Sequence, residues 1–168
     1  MKMRQPGVIK IILYAVLLVV VYIFQGMIFP FIRIAGLAPL ILPIVSTGVA
    51  VYGGRTPGGI SGLFAGMLTD LSFNQPLALF TVVLTLAGVG VGAMADTIFA
   101  KRFGTYIISC VAVLSVCALV QLVPLLIAGA APVFLLFNTA LWQTVYSLVF
   151  AIPIWFAVHR IATVFDGY

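Results

Sequence analysis

Few groups in this chain ionise, attack or ligate. The acids are Asp70, Asp96 and Asp166, the only histidine is His159, and the cysteines are Cys110 and Cys117. Acid–base catalysis would need two such groups within hydrogen-bond reach of one substrate atom. Here His159 closes the last apolar run while Asp70 closes the third, at what should be the opposite face of a membrane. The cysteines lie seven apart inside one apolar run, where they read as small packing residues rather than a disulfide or metal pair. No metal-ligand spacing and no phosphate-cradling loop after a strand occurs. The expectation is a protein that is not an enzyme, with no cofactor and no metal.

What stands out instead is Gly58 to Asp70, read G-G-I-S-G-L-F-A-G-M-L-T-D. Gly58, Gly62 and Gly66 fall four apart, and Asp70 takes the next place. Residues four apart on a helix lie nearly above one another, so the pattern makes a groove without side chains that ends in a carboxylate. Inside a bilayer such a groove lets another helix's backbone approach, whether a neighbour in the same chain or a partner's. An acid at its edge is costly in hydrocarbon and is a functional candidate by default. The pattern is echoed by Gly88, Gly92 and Asp96.

The helices that carry these residues follow from composition. Of 168 residues, 64% are apolar and 7% charged, more apolar surface than a soluble domain could bury, so the expected solvent is lipid. Residues 1–168 read as a single integral membrane domain. The net charge of +5 does not point to nucleic acid, because the basic residues stand in ones and twos at the ends of apolar runs, where they orient helices.

Six spans are expected. Val8 to Phe29 follows a short basic start and is too long in its core for a cleaved signal, so it reads as an anchor. Ile34 to Tyr52 is the second, with Pro39 and Pro43 early in it. Gly53 to Pro57 reads as a turn. The third, Gly58 to Leu71, would measure roughly 21 Å, short of the bilayer core, and is expected to be buried among its neighbours. Asn74 and Pro76 suit the cap and first turn of the fourth, Leu77 to Phe99. Gly104 to Ala128 is the fifth and Val133 to Val158 the sixth, with a kink expected at Pro153.

Six spans put both termini on one side. The basic residues then divide between Lys2, Arg4, Lys10, Arg55, Lys101, Arg102 and Arg160 on that side and Arg33 on the other, which makes it the cytoplasmic one. Asp70 and Asp96 then sit at opposite faces, each at a helix C-terminus where the dipole disfavours an anion unless a cation is near. Arg33 is the candidate partner of Asp70, and Arg55, Lys101 and Arg102 are those of Asp96. Gln25, Asp70, Asn74, Gln75, Gln121 and Asn138 gather in the outer part, with Gln143 nearer the middle. They read either as interhelical hydrogen bonds or as an outward-facing polar pocket. The aromatic residues Phe134, Phe137, Trp142, Tyr146, Phe150 and Trp155 of the sixth span read as packing and interface anchors.

The basic start, the six short spans and the motif Gly58, Gly62, Gly66, Met67, Leu68, Thr69, Asp70, followed by the loop through Pro76 and the glycine-rich fourth span (Gly88, Gly90, Gly92), resemble the MreD family of rod shape-determining membrane proteins. The resemblance implies a non-enzymatic component of the cell-elongation complex. Its implied partners are an MreC-like single-span protein, an MreB-like filament, and a RodA-like polymerase with its transpeptidase. A second resemblance is to the substrate-binding S component of energy-coupling-factor vitamin transporters, also six-span bundles with an outward pocket. The expected fold is therefore an all-α, S-component-like bundle of six transmembrane helices with both termini cytoplasmic. Gly58, Gly62, Gly66, Asp70, Gly88 and Gly92 are expected to serve helix packing or partner binding, and Arg33, Asp70, Asp96 and Arg102 are the candidate ion-pair residues.

Overall fold

The computed structural model describes residues 6–28, 40–73, 78–97, 103–127 and 133–166. Among them every element is helical: α1 (Pro6–Ile28), α2 (Ile41–Gly53), α3 (Arg55–Phe73), α4 (Leu79–Thr97), α5 (Phe103–Ile127), α6 (Val133–Val149) and α7 (Ala151–Asp166). Leu79–Asp96 and Phe103–Gln121 are long and apolar enough to cross a membrane, and Ala140–Val149 with Ala151–Thr163 makes a third if that bent pair is one span. Large apolar side chains face outward from every helix except α2, among them Phe24, Leu71, Leu86, Ile108, Trp142 and Phe156. In water so much exposed apolar surface would drive association, whereas hydrocarbon solvates it.

The buried helix is α2, not the third span. Every residue from Ile41 to Tyr52 is buried, and α2 packs on α1, α3, α4, α5 and α7. At 13 residues it is only about 20 Å long. Its first turn contains Pro43, whose carbonyl accepts the hydroxyls of Ser46 and Thr47 at 3.0 and 2.7 Å. Ahead of that turn, the Leu40 N–H donates to Ser147 Oγ of α6 at 3.0 Å. The polar groups at this buried helix start are thus bonded by neighbouring hydroxyls, as burial of a backbone requires. At Gly48 a Cβ would lie 3.2 Å from both Tyr106 of α5 and Val158 of α7. A missing side chain is therefore what seats those two helices on α2.

Three expectations need correction. The turn expected over Gly53 to Pro57 contracts to Gly54 alone, with φ +85°, and α3 starts at Arg55 with Pro57 in its first turn, where a missing N–H costs nothing. With 19 residues α3 is as long as α4, and instead of being enclosed it exposes Ile60, Leu63, Phe64, Met67 and Leu71. The last apolar run breaks at Phe150, bending by 47°, rather than at Pro153. A proline ring clashes with the carbonyl four residues back, here Val149, so the break falls upstream of the proline itself. Phe150 closes the break by donating its N–H to Ser147 O at 3.1 Å.

The aromatic run does not stay one stripe. Phe134 and Trp142 face outward, while Trp155 turns into a cluster with α2 and α5. Trp155 Nε1–H donates to Tyr52 Oη at 2.7 Å, its ring stacks on His159 at 5.0 Å, and Phe103 meets it edge-on at 5.0 Å. This ties the C-terminal end of α2 to α7. Tyr52→Phe is expected to lower stability by about 1 kcal/mol by stranding the indole N–H, measured as a shift in the detergent-unfolding midpoint followed by tryptophan emission.

Candidate functional site

The glycine groove is filled by the chain itself. A Cβ at Gly58 would stand 2.5 Å from the carbonyl of Gly88, one at Gly62 2.2 Å from that of Leu84, and one at Gly66 2.4 Å from Cα of Thr81. From the other side, a Cβ at Gly88 would lie 2.2 Å from the Gly58 carbonyl and one at Gly92 2.6 Å from that of Gly54. These neighbours are backbone atoms, which cannot rotate away. The α3–α4 contact is accordingly the most extensive helix–helix contact among the described residues. A partner helix could reach these glycines only by displacing α4.

Asp70 and Asp96 close the two ends of this hairpin. Asp70 Oδ1 accepts the N–H of Phe80 at 3.1 Å, while Oδ2 accepts the N–H of Thr81 at 2.8 Å and its hydroxyl at 2.6 Å. At the far end Asp96 Oδ2 accepts the N–H of Arg55 at 3.1 Å. Each acid stands near the C-terminus of its own helix and caps the N-terminus of the other. An antiparallel pair brings the positive end of one helix dipole beside the negative end of its neighbour. That helix start does the work for which a basic side chain seemed necessary. Arg55, a candidate cation for Asp96, bonds it through its neutral main-chain N–H. Arg33, Lys101 and Arg102, the other candidate cations, lie outside the described residues.

The two halves match as an inverted repeat. Gly62, Gly66 and Asp70 correspond to Gly88, Gly92 and Asp96 at one constant offset, and the same offset relates the capped residues Arg55 and Thr81. The echo of the motif is visible in the sequence; the reciprocal capping was missed. Its signal was the residue ahead of α4, which is Ala78. A methyl cannot accept a hydrogen bond, so the cap must come from elsewhere. Asn74, expected as the cap, and Pro76, expected in the first turn, lie outside the described residues, and α4 begins at Leu79.

The ends differ in depth. Asp70 is 8% exposed, whereas Asp96 and Arg55 are exposed. Gly54, between α2 and α3, has no room for a side chain, since a Cβ would approach Asp96 Oδ1 to 2.7 Å. Gly54→Ala is expected to destabilise by about 2 kcal/mol, combining the left-handed backbone with displacement of the cap. Ala78, at φ 46°, works the other way. Ala78→Gly relieves about 1 kcal/mol of backbone strain against a smaller entropic cost, for a net gain of about 0.5 kcal/mol. Thermal unfolding in detergent measures both.

The outer polar set is divided in its surroundings, and its members Asn74 and Gln75 lie outside the described residues. Gln25 and Gln143 are buried and Asn138 is exposed, while Asp70 is taken up by its cap. Gln25 Oε1 and Gln121 Nε2 are buried without a hydrogen-bond partner. A small cavity of about 30 Å³ lies elsewhere, between α1, α2 and α3, lined by Tyr14, Leu18, Val49, Ile60 and Phe64 among others. It is apolar and holds no more than a water-sized group. Cys110 and Cys117 are buried, free thiols, and among the described residues no three His, Cys, Asp or Glu side chains cluster as a metal site.

These features define a class: an all-helical, lipid-suited protein built on a glycine-packed hairpin with reciprocal carboxylate caps. Compared with known proteins, the chain matches no family model, no curated protein and no solved structure.

Proposed function

We propose that this chain is a non-enzymatic membrane scaffold of the bacterial cell-elongation complex. In this reading it is a multi-pass protein of the cytoplasmic membrane, with six spans, α6 and α7 together forming the last, and both termini in the cytoplasm. It binds an MreC-like single-span protein beside an MreB-like filament and a RodA-like polymerase with its transpeptidase. The observation that carries the scaffold reading is the use made of the two acids. Asp70 and Asp96 are both bound as helix caps, so the carboxylates best placed for chemistry are spent on holding helices together. What remains on the outside is mainly apolar side chain, suited to lipid and to other membrane helices. The elongation complex itself comes from the motif resemblance, which covers Gly58 to Asp70 most specifically. Because α4 occupies the glycine groove, a partner helix docks on another face.

The test is depletion in the source cell with a tagged copy as rescue. Loss of rod shape, restored by the tagged chain, together with co-purification of a single-span protein bearing a large outer domain, is the expected result. Normal shape after depletion overturns the reading. A vitamin-binding S component is the second reading, favoured by Gln25 Oε1 and Gln121 Nε2, two amide atoms buried without a hydrogen-bond partner. A stoichiometric small molecule released on denaturation, seen by ultraviolet spectrum and mass, would select it instead.

A further inference from the structure

We propose that α3 is a conditional membrane span, resident in the bilayer only as one half of a preassembled hairpin with α4. The proposal rests on the reading of α3 as a span. Three observations carry it. First, α3 matches α4 in length at 19 residues, yet it is absent from the helices apolar enough to cross by their own composition. Four glycines, Arg55, Ser61, Thr69 and Asp70 dilute its apolar content. Second, the carboxylate among these groups is hydrogen-bonded by α4. Among the described residues the Asp70 carboxylate takes its three hydrogen bonds from Phe80 and Thr81, and without them it would stand bare near hydrocarbon. Third, the glycines that weaken α3 as a lone span are the ones that admit the α4 backbone. The residues that make α3 a poor solitary span therefore make it a good half of a pair, and close dispersion packing replaces the apolar side chains it lacks.

The consequence is an order of assembly. α4 is apolar enough to enter by itself, and α3 partitions with it. Separation of the pair expels α3 and uncovers α2, which packs against α3 through Gly58 and Ala50.

The test keeps the full chain and leaves the sequence of α3 untouched. A cysteine replaces Gln75, in the connection between the two helices, and intact cells are treated with a membrane-impermeant maleimide. Cys110 and Cys117 are buried and provide a low background. The unmodified hairpin is expected to label from outside. Gly88→Leu, which drives a side chain onto the Gly58 carbonyl, is expected to abolish that labelling while leaving reaction after permeabilisation. Adding Thr56→Leu and Ser72→Leu, both at exposed positions, raises the apolarity of α3 without remaking the interface and is expected to restore outside labelling. Unchanged labelling in Gly88→Leu means that α3 crosses alone and overturns the proposal. Loss that the two leucines do not reverse assigns the effect to general misfolding and overturns it equally. If the unmodified hairpin labels only after permeabilisation, the proposed topology is wrong; the same comparison then reads the proposal with the sides exchanged.

Discussion

Gly62→Leu is expected to separate α3 from α4 and to destabilise the protein by about 3 kcal/mol or more. A Cβ at this position would sit 2.2 Å from the Leu84 carbonyl oxygen and 3.1 Å from Cα of Thr85. Relief requires moving one whole helix from the other, since no rotamer of a neighbour opens the space. Moving the helices apart would also lengthen the Asp70 and Asp96 caps, so the loss exceeds that of one overpacked side chain. The internal control is Gly90 on the same α4, where a Cβ would meet nothing within 4 Å. Gly90→Leu is expected to be neutral or to gain up to about 1 kcal/mol from helix propensity. Paired unfolding curves of the two variants in mixed micelles measure the contrast. Equal stability of Gly62→Leu and Gly90→Leu would mean that backbone contact is not what joins the hairpin.

Asp70→Ala is expected to cost about 3 kcal/mol and Asp96→Ala less than about 1 kcal/mol, although the sequence presents the two acids in the same motif. Removing the Asp70 carboxylate strands the buried N–H of Phe80 and the half-buried N–H and hydroxyl of Thr81, where each unmet donor carries a desolvation penalty. At the other end Arg55 N–H loses its bond at 3.1 Å in an exposed place, and water replaces it. Asp70→Asn should fall between, keeping one acceptor oxygen but turning an amide N–H₂ toward donors. The same unfolding curves, together with hydrogen exchange at Phe80, Thr81 and Arg55, check the ranking. Matching losses at the two acids would show that depth plays no part in the caps.

Much of this hairpin was legible beforehand. The four-residue spacing of Gly58, Gly62 and Gly66 and its echo in Gly88 and Gly92 point to helix contact because a helix repeats its faces at that interval. The choice between a partner's helix and the chain's own was open, since a bare groove has no address. The caps were harder to see. Dipole reasoning applied one helix at a time asks for a cation near Asp70, and it omits the neighbouring helix start that an antiparallel pair supplies. Helix ends shifted for a related reason: Gly54 alone turns the chain between α2 and α3 because its φ of +85° reverses direction in one residue, and a cluster of turn-forming residues does not reveal that economy.

From composition and periodicity alone came the helical class, the lipid-suited surface and the small-residue faces, all of which depend on each residue's own chemistry and its near neighbours along the chain. Tertiary structure decided which helix is buried, with α2 taking the centre in place of α3. It also decided that Ser147 bonds the start of α2, that Trp155 reaches Tyr52, and that each acid serves the opposite helix. Those outcomes join residues far apart in sequence, and their energies exist only once two helices have met.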